Sequence, residues 1–400
     1  MKRTEGEIVL SGTILLGEEF EPFEGHLIIR EGVVVEIGSE KVESDYEGII
    51  CPALVNAHLH LGDSVFKDPP YLPLDELVGP GGLKHRALAS ASRRKQVEGM
   101  RRSISEMARS GTFAFADFRE GGIEGVEMLL EAMAGARVED ERTEGGETER
   151  ARVEEKMTGA RTEGQGAERA RVEERMQVVR MDGGGLIGRI LGRPDPGSIR
   201  VHPDCWGVGI SSTRDHPRSW LEEVAQIARS EGRKIALHAG ESGRDDIEDA
   251  LSLEPDLLVH LTRAEPRDLK AVEDAGVPVV VCPRSNLATG VGLPDVPKML
   301  ELGMVVGLGT DNVMLNSPNL FSEMELLSKA LLHNDRQVFM MCTLNGPDIL
   351  GAEDEAGAIG VGKKSRIMVI DRRSDNLAGS RDPLASVVRR AMPSDVLAVI

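Results

Sequence analysis

The sequence predicts an α/β fold, a (β/α)₈ TIM barrel carrying a small β-sandwich domain built from both chain termini. Three observations carry that expectation. The 400 residues exceed what one barrel of about 250 residues requires, so a second unit or insertions must absorb the remainder. Strand-like apolar runs alternate with amphipathic helical segments through the middle of the chain, as repeated βα units do. Short β-rich stretches with tight turns occupy both ends.

At the amino end the runs Ile8-Val9-Leu10, His26-Leu27-Ile28-Ile29 and Val33-Val34-Val35-Glu36-Ile37 are broken by Gly25, Gly32 and Gly38, which reads as strands joined by tight turns. Similar stretches return at 359–361 and 367–370 and should pair with the first set. Residues 1–51 and 355–400 are therefore assigned to the sandwich and 52–354 to the barrel. Barrel strands are expected at 54–55, 112–117, 186–191, 206–211, 235–237, 257–259, 277–281 and 304–308, with helices at 97–109, 123–134, 220–230, 267–275 and 320–332.

A charged insert at 135–184 breaks this alternation. It is rich in Glu, Arg and Gly and duplicates itself: Arg150-Ala151-Arg152-Val153-Glu154-Glu155 returns as Arg169-Ala170-Arg171-Val172-Glu173-Glu174. Its i, i+4 ion pairs are worth only tenths of a kcal/mol. Falling between the second helix and the third strand, it is expected on the face opposite the barrel mouth, either as a solvated expansion or as an oligomerisation arm, so a homo-oligomer stays open.

Composition excludes several classes of partner. A net charge of −19 repels phosphate backbones and acidic lipid surfaces, and 3% aromatic residues leave few platforms for stacking bases. No nucleic-acid or membrane partner is expected. The first residues lack an apolar signal core and no apolar run is long enough to span a bilayer, so the expectation is a soluble, cytoplasmic protein with a small-molecule substrate. Cys51, Cys205, Cys282 and Cys342 are too scattered for a metal knuckle or a disulfide framework and are read as buried free thiols.

The chemistry concentrates at strand ends, which a barrel gathers at one mouth. His58 and His60 are two apart at the end of an extended run, so both imidazoles project to one side and can share a cation. His238 ends Lys234-Ile235-Ala236-Leu237, and Gly240 permits a sharp turn that returns Glu241 over the strand end. His260 ends Leu257-Leu258-Val259, and Asp311 follows Gly307-Leu308-Gly309-Thr310.

These residues, with Asn56-Ala57-His58-Leu59-His60, His238-Ala239-Gly240-Glu241 and Cys282-Pro283-Arg284-Ser285-Asn286, resemble the amidohydrolase superfamily over nearly the whole chain outside the insert. The branch is that of the mononuclear aminohydrolases, with the adenosine, guanine and cytosine deaminases and the triazine chlorohydrolases. The resemblance implies that His58, His60, His238 and Asp311 ligate one divalent metal ion, that Glu241 shuttles a proton, and that His260 holds the attacking water. Imidazoles with a carboxylate suit Zn²⁺, which is favoured, or Fe²⁺. The binuclear branch bridges two metals with a lysine on the fourth strand; Trp206-Gly207-Val208-Gly209-Ile210-Ser211 has none, which implies a single metal.

The implied reaction is hydrolytic deamination of an aminated heterocycle, a purine derivative such as a thioadenosine or adenosylhomocysteine being one candidate. Water adds to the ring carbon bearing the amino group while Glu241 protonates the neighbouring ring nitrogen, Asp311 accepts the water's proton, and the adduct collapses with loss of ammonia. The alternatives are hydrolysis of a cyclic amide or a halogenated ring by the same site, and a barrel that binds ligand without turnover. Substrate-shaping candidates are Asp63 and Lys67 after the first strand, His85 in the long first loop, Arg119 and Glu120 ending the second strand, and Arg284 and Ser285 ending the seventh. His26, His202, His216 and His333 are read as ordinary solvated or packed histidines.

Overall fold

The computed structural model describes residues 6–136, 186–195 and 197–400. Of the charged insert at 135–184 only residues 135 and 136 fall within that set, so the duplicated segment and its expected placement lie outside the described residues. In chain order the strands are β1 (Ile8–Leu16), β2 (Glu21–Arg30), β3 (Val33–Gly38), β4 (Tyr46–Pro52), β5 (Leu54–His60), β6 (Thr112–Arg119), β7 (Ile187–Gly192), β8 (Gly207–Ile210), β9 (Lys234–Ala239), β10 (Leu257–His260), β11 (Val279–Val281), β12 (Val306–Leu308), β13 (Asp311–Asn312), β14 (Ile367–Ile370) and β15 (Val396–Val399).

The two chain ends do pair. They form one six-stranded sheet in the order β15-β14-β4-β1-β2-β3. At its centre β4 runs parallel to β1, with Leu10 opposite Tyr46, and antiparallel to β14, with Met368 opposite Cys51. Leu10, Ile14, Leu27, Ile50 and Val369 fill the core of this sheet.

Strands β5 to β13 form a parallel sheet in the order β12-β11-β10-β9-β8-β7-β6-β5-β13. It curls until its last run meets both of its ends. β12 bonds to β11, with Val306 opposite Val279, whereas β13 bonds to β5, with Asp311 opposite Leu59. The eighth strand, expected at 304–308, ends at Leu308, and the step at Gly309-Thr310 between it and β13 bridges the seam: Gly309 N–H donates to the Val281 carbonyl at 3.0 Å and Thr310 N–H to the His58 carbonyl at 3.0 Å.

Helices cover the outside for the reason the sequence pattern gives. The helix Arg218–Ser230 buries Leu221, Val224, Ala225 and Ala228, an i, i+3, i+4, i+7 stripe. That stripe shares a core with Ile235 and Leu237 of β9, while alternation sends Ala236 and His238 to the opposite, inner face. Among the described residues no helix is long and apolar enough to cross a membrane. All four cysteines are buried and unbridged.

Candidate metal centre

Five side chains from four strands converge at the end of the curled sheet. His58 and His60 come from β5, with ring centroids 5.0 Å apart. His238 comes from β9, His260 from β10 and Asp311 from β13. One donor atom from each of His58, His238, His260 and Asp311 lies within 4.8 Å of the others. His60 joins them, its Nε2 standing 3.4 Å from His238 Nε2 and 3.5 Å from Asp311 Oδ1.

Backbone conformation aims two of these groups. On β10, Leu258 faces the helices, so simple alternation would send His260 the same way. His260 instead adopts φ +80°, a region non-glycine residues rarely enter, and turns into the site. Asp311, at φ +56°, does likewise after the step at Gly309-Thr310.

Hydrogen bonds to the far side of His60 and His238 decide what the near side of each offers. His60 Nδ1–H donates to the Phe118 carbonyl at 3.0 Å and His238 Nδ1–H to the Ile210 carbonyl at 3.1 Å. A neutral imidazole with its proton on Nδ1 presents a lone pair at Nε2. Those lone pairs point at each other, and His58 Nε2 lies 3.3 Å from His238 Nε2 and 3.3 Å from Asp311 Oδ1. Facing lone pairs repel unless a cation sits among them. Ligands at about 2.0–2.1 Å from a tetrahedral ion stand about 3.3–3.4 Å apart, so this donor set fits a divalent metal.

His260 is built the other way round. Its Nδ1 accepts from Asn286 Nδ2 at 3.1 Å, which leaves the ring proton on Nε2, and that atom faces Glu241 Oε2 at 3.6 Å. The ring therefore donates into the site. This separates His260 from His60 chemically, although both are equally near.

Electrostatics agree. Burial drives His58 down to about 3, and burial together with the neighbouring imidazoles holds His238 well below its ordinary value, so both rings are neutral at physiological pH. Burial opposes ionisation of Asp311, yet the His58 hydrogen bond and the surrounding rings hold its carboxyl well below the usual range. Its Oδ2 also accepts from the Ser285 hydroxyl at 2.5 Å. Burial raises Glu241 above an ordinary carboxyl, the direction that suits a group that carries and delivers a proton. Glu241 is delivered by the expected turn: Gly240 takes φ +64°, and its N–H donates to Asp246 Oδ1 at 2.8 Å.

The centre forms the floor of a cavity of about 720 Å³. His60, His238, His260, Asp311 and Glu241 line it, and so does His85. Glu120 lines it as well, and the remaining substrate-shaping candidates lie outside its wall. Arg119 is 1% exposed and turns outward, its Nε donating to the Gly125 carbonyl at 2.8 Å. Asp63 is buried and accepts from Met314 N–H at 3.0 Å. Arg284 is spent on Glu323 at 2.8 Å and on the Ser317 carbonyl at 2.7 Å, so it braces a loop. Ser285 holds Asp311 and is not in the wall of this cavity.

Residues outside the sequence-derived set complete the walls. His216, read from sequence as an ordinary histidine, lines the cavity and stacks on Trp220 with centroids 4.3 Å apart. Arg193, just beyond β7, lines it too, and its Nε is buried without a hydrogen-bond partner among the described residues. Its position directly after the third strand was the available signal. Lys84, also outside that set, forms a buried ion pair with the expected Glu120 at 2.6 Å in the same wall.

Comparison with known proteins gives a consistent likeness. The sequence profile of the Amidohydrolase family matches residues 49–400. A protein of Methanothermobacter thermautotrophicus, provisionally named an aminohydrolase, is 33% identical over 98% of this chain and 97% of its own. The 5-methylthioadenosine/S-adenosylhomocysteine deaminase of Pyrococcus abyssi is 26% identical over 97% of this chain and 91% of its own. Among solved structures, a zinc-bound adenosine deaminase from Xanthomonas campestris superposes with a TM-score of 0.70 at 17% identity, covering 97% of this chain and 90% of that one.

Proposed function

The chain belongs to the amidohydrolase family, and from that premise we propose that it deaminates an aminated heterocycle with the help of one divalent cation, releasing ammonia. It is a hydrolase of carbon–nitrogen bonds other than peptide bonds. The observation that carries the finer reading is the meeting of His58, His60 and His238 Nε2 with Asp311 Oδ1 at 3.3–3.5 Å, beside a proton-bearing pair, His260 and Glu241.

In this reading His58, His60, His238 and Asp311 hold the cation, zinc in preference to iron(II). When bound, such an ion polarises a water so that its pKa falls from about 15.7 towards about 7. The chain's own groups do the rest. His260 Nε2–H orients the attacking water, Asp311 takes a proton from it, and Glu241 delivers one to the ring nitrogen beside the reacting carbon. The raised affinity of Glu241 for its proton supports that last role.

The substrate we infer is a purine derivative of nucleoside size. The names of the deaminase relatives support it, as does a 720 Å³ cavity, within the range of about 300–1,000 Å³ used for ligands of that bulk. His216 and Trp220 offer a flat aromatic surface, and the Nε–H of Arg193, without a partner among the described residues, offers a donor to an acceptor-rich substituent. We further read residues 52–354 as a (β/α)₈ barrel and residues 1–51 with 355–400 as one β-sandwich domain; the curled parallel sheet and the pairing of β4 with β14 support this.

The test is metal analysis of the purified protein joined to an ammonia-release screen over adenosine derivatives, guanine, cytosine and triazines. About one equivalent of metal with ammonia from one of these rings is expected. Metal without ammonia would shift the assignment to a cyclic amide or halogenated ring, and a metal-free protein to a binding barrel.

A further inference from the structure

Lys84 sits on the short helix Leu83–Ser90, in the long segment joining β5 to β6, and is only 4% exposed. A buried ammonium needs acceptors for its three N–H groups. Lys84 donates to Asn312 Oδ1 at 3.1 Å and is ion-paired with Glu120 Oε1 at 2.6 Å and, more loosely, with Asp63 Oδ2 at 3.6 Å. All three partners are groups of the chain itself, although Lys84 lies in the cavity wall.

Each acceptor is tied to the metal centre from a different direction. Glu120 Oε1 stands 2.8 Å from His60 Nδ1. Asn312 immediately follows Asp311 on β13. Asp63 follows His60 by three positions and accepts from Met314, so it ties the segment after β5 to the segment after β13. One ammonium thus links the roof of the cavity to the ends of the first, second and eighth strands.

Resting on the metal reading above, we propose that Lys84 is a positioning residue that couples closure of the first loop to retention of the metal. Its ammonium, 2.6 Å from Glu120 Oε1, holds that side chain beside His60. A carboxylate beside Nδ1–H fixes the ring orientation and makes Nε2 a stronger donor, and losing such a partner typically weakens metal binding about 10–100-fold. A lysine serving only to stabilise the fold would lower the thermal midpoint without changing how fast metal leaves a folded protein.

The experiment loads wild type, Lys84→Met, Lys84→Arg, Glu120→Gln and the double variant Lys84→Met/Glu120→Gln with zinc. Its transfer to an excess of a chromogenic chelator is followed well below every thermal midpoint. Lys84→Met and Glu120→Gln should each release zinc about 10–100-fold faster than wild type, and Lys84→Arg, which keeps the charge, should lie between. The double variant should release it no faster than the quicker single variant, because both changes break one linkage. Limited proteolysis of Lys84→Met should cut more rapidly between residues 66 and 91. Release within twofold of wild type in both single variants, or rates that multiply in the double variant, overturns the proposal. If Lys84→Met does not fold, the isosteric Glu120→Gln decides alone. Wild type that takes up no zinc at all would instead remove the metal reading beneath it.

Discussion

Gly309 lies so close to His58 that a methyl group on it would fall 2.7 Å from the His58 carbonyl oxygen and 2.8 Å from its Cβ. Those atoms are backbone and β-carbon and cannot swing aside. The first and eighth strands meet at the metal centre only because position 309 has no side chain. Gly309→Ala should therefore push the Asp311 carboxylate away from His58, costing about 1–3 kcal/mol of stability and most of the bound metal. Calorimetry together with metal content checks this; a variant with an unchanged midpoint and full occupancy would rule it out.

Glu241 is outside the donor set but within 3.6 Å of His260. Glu241→Gln keeps the shape and removes the transferable proton. Turnover should drop by about 10²–10⁴-fold while metal content stays at the wild-type level. Full activity in this variant would take Glu241 out of the chemistry.

Removing the ion leaves ring nitrogens facing one another at 3.3–3.4 Å with nothing between them. Dialysis against a strong chelator should abolish activity and lower the thermal midpoint, and added Zn²⁺ should restore both. His238→Ala and Asp311→Ala should prevent the restoration, since each deletes a donor; recovery in either would show that the cation is held elsewhere.

The thiols offer a check that is independent of activity. Burial pushes Cys205 up to about 11 and Cys51, Cys282 and Cys342 well above the ordinary thiol range. At pH 8 all four are protonated as well as shielded, and the thiolate is the reactive form. A thiol reagent should titrate none in the native protein and four after denaturation. Rapid native reaction at any one would contradict the burial described for it.

How much of this could be read from the sequence depends on what one dimension encodes. His58, His60 and His238 announce themselves because alternation along a strand fixes which side they face. His260 does not follow that rule, and its direction comes from a positive φ that no pattern predicts. The step at Gly309-Thr310 was equally hidden, since it arises where the sheet must bond to both of its ends. Arg119 and Arg284 occupy strand ends, as expected, but bind the Gly125 carbonyl and Glu323. A guanidinium at such a position can serve the mouth or a neighbouring loop with the same local sequence. Lys84 lies 24 positions beyond His60, in a segment without periodicity, and only the folded loop brings it to Glu120.

The central place of β4 has a consequence for biosynthesis. One of its edges pairs with β1, a neighbour available almost as soon as it leaves the ribosome, but the other waits for β14, more than 300 residues downstream. During translation of everything between them, an apolar strand edge including Ile49, Ile50 and Cys51 stays open to any passing strand. Contacts so distant along the chain form slowly. Aggregation during synthesis should therefore begin at this edge, and slower elongation through the intervening residues should worsen it.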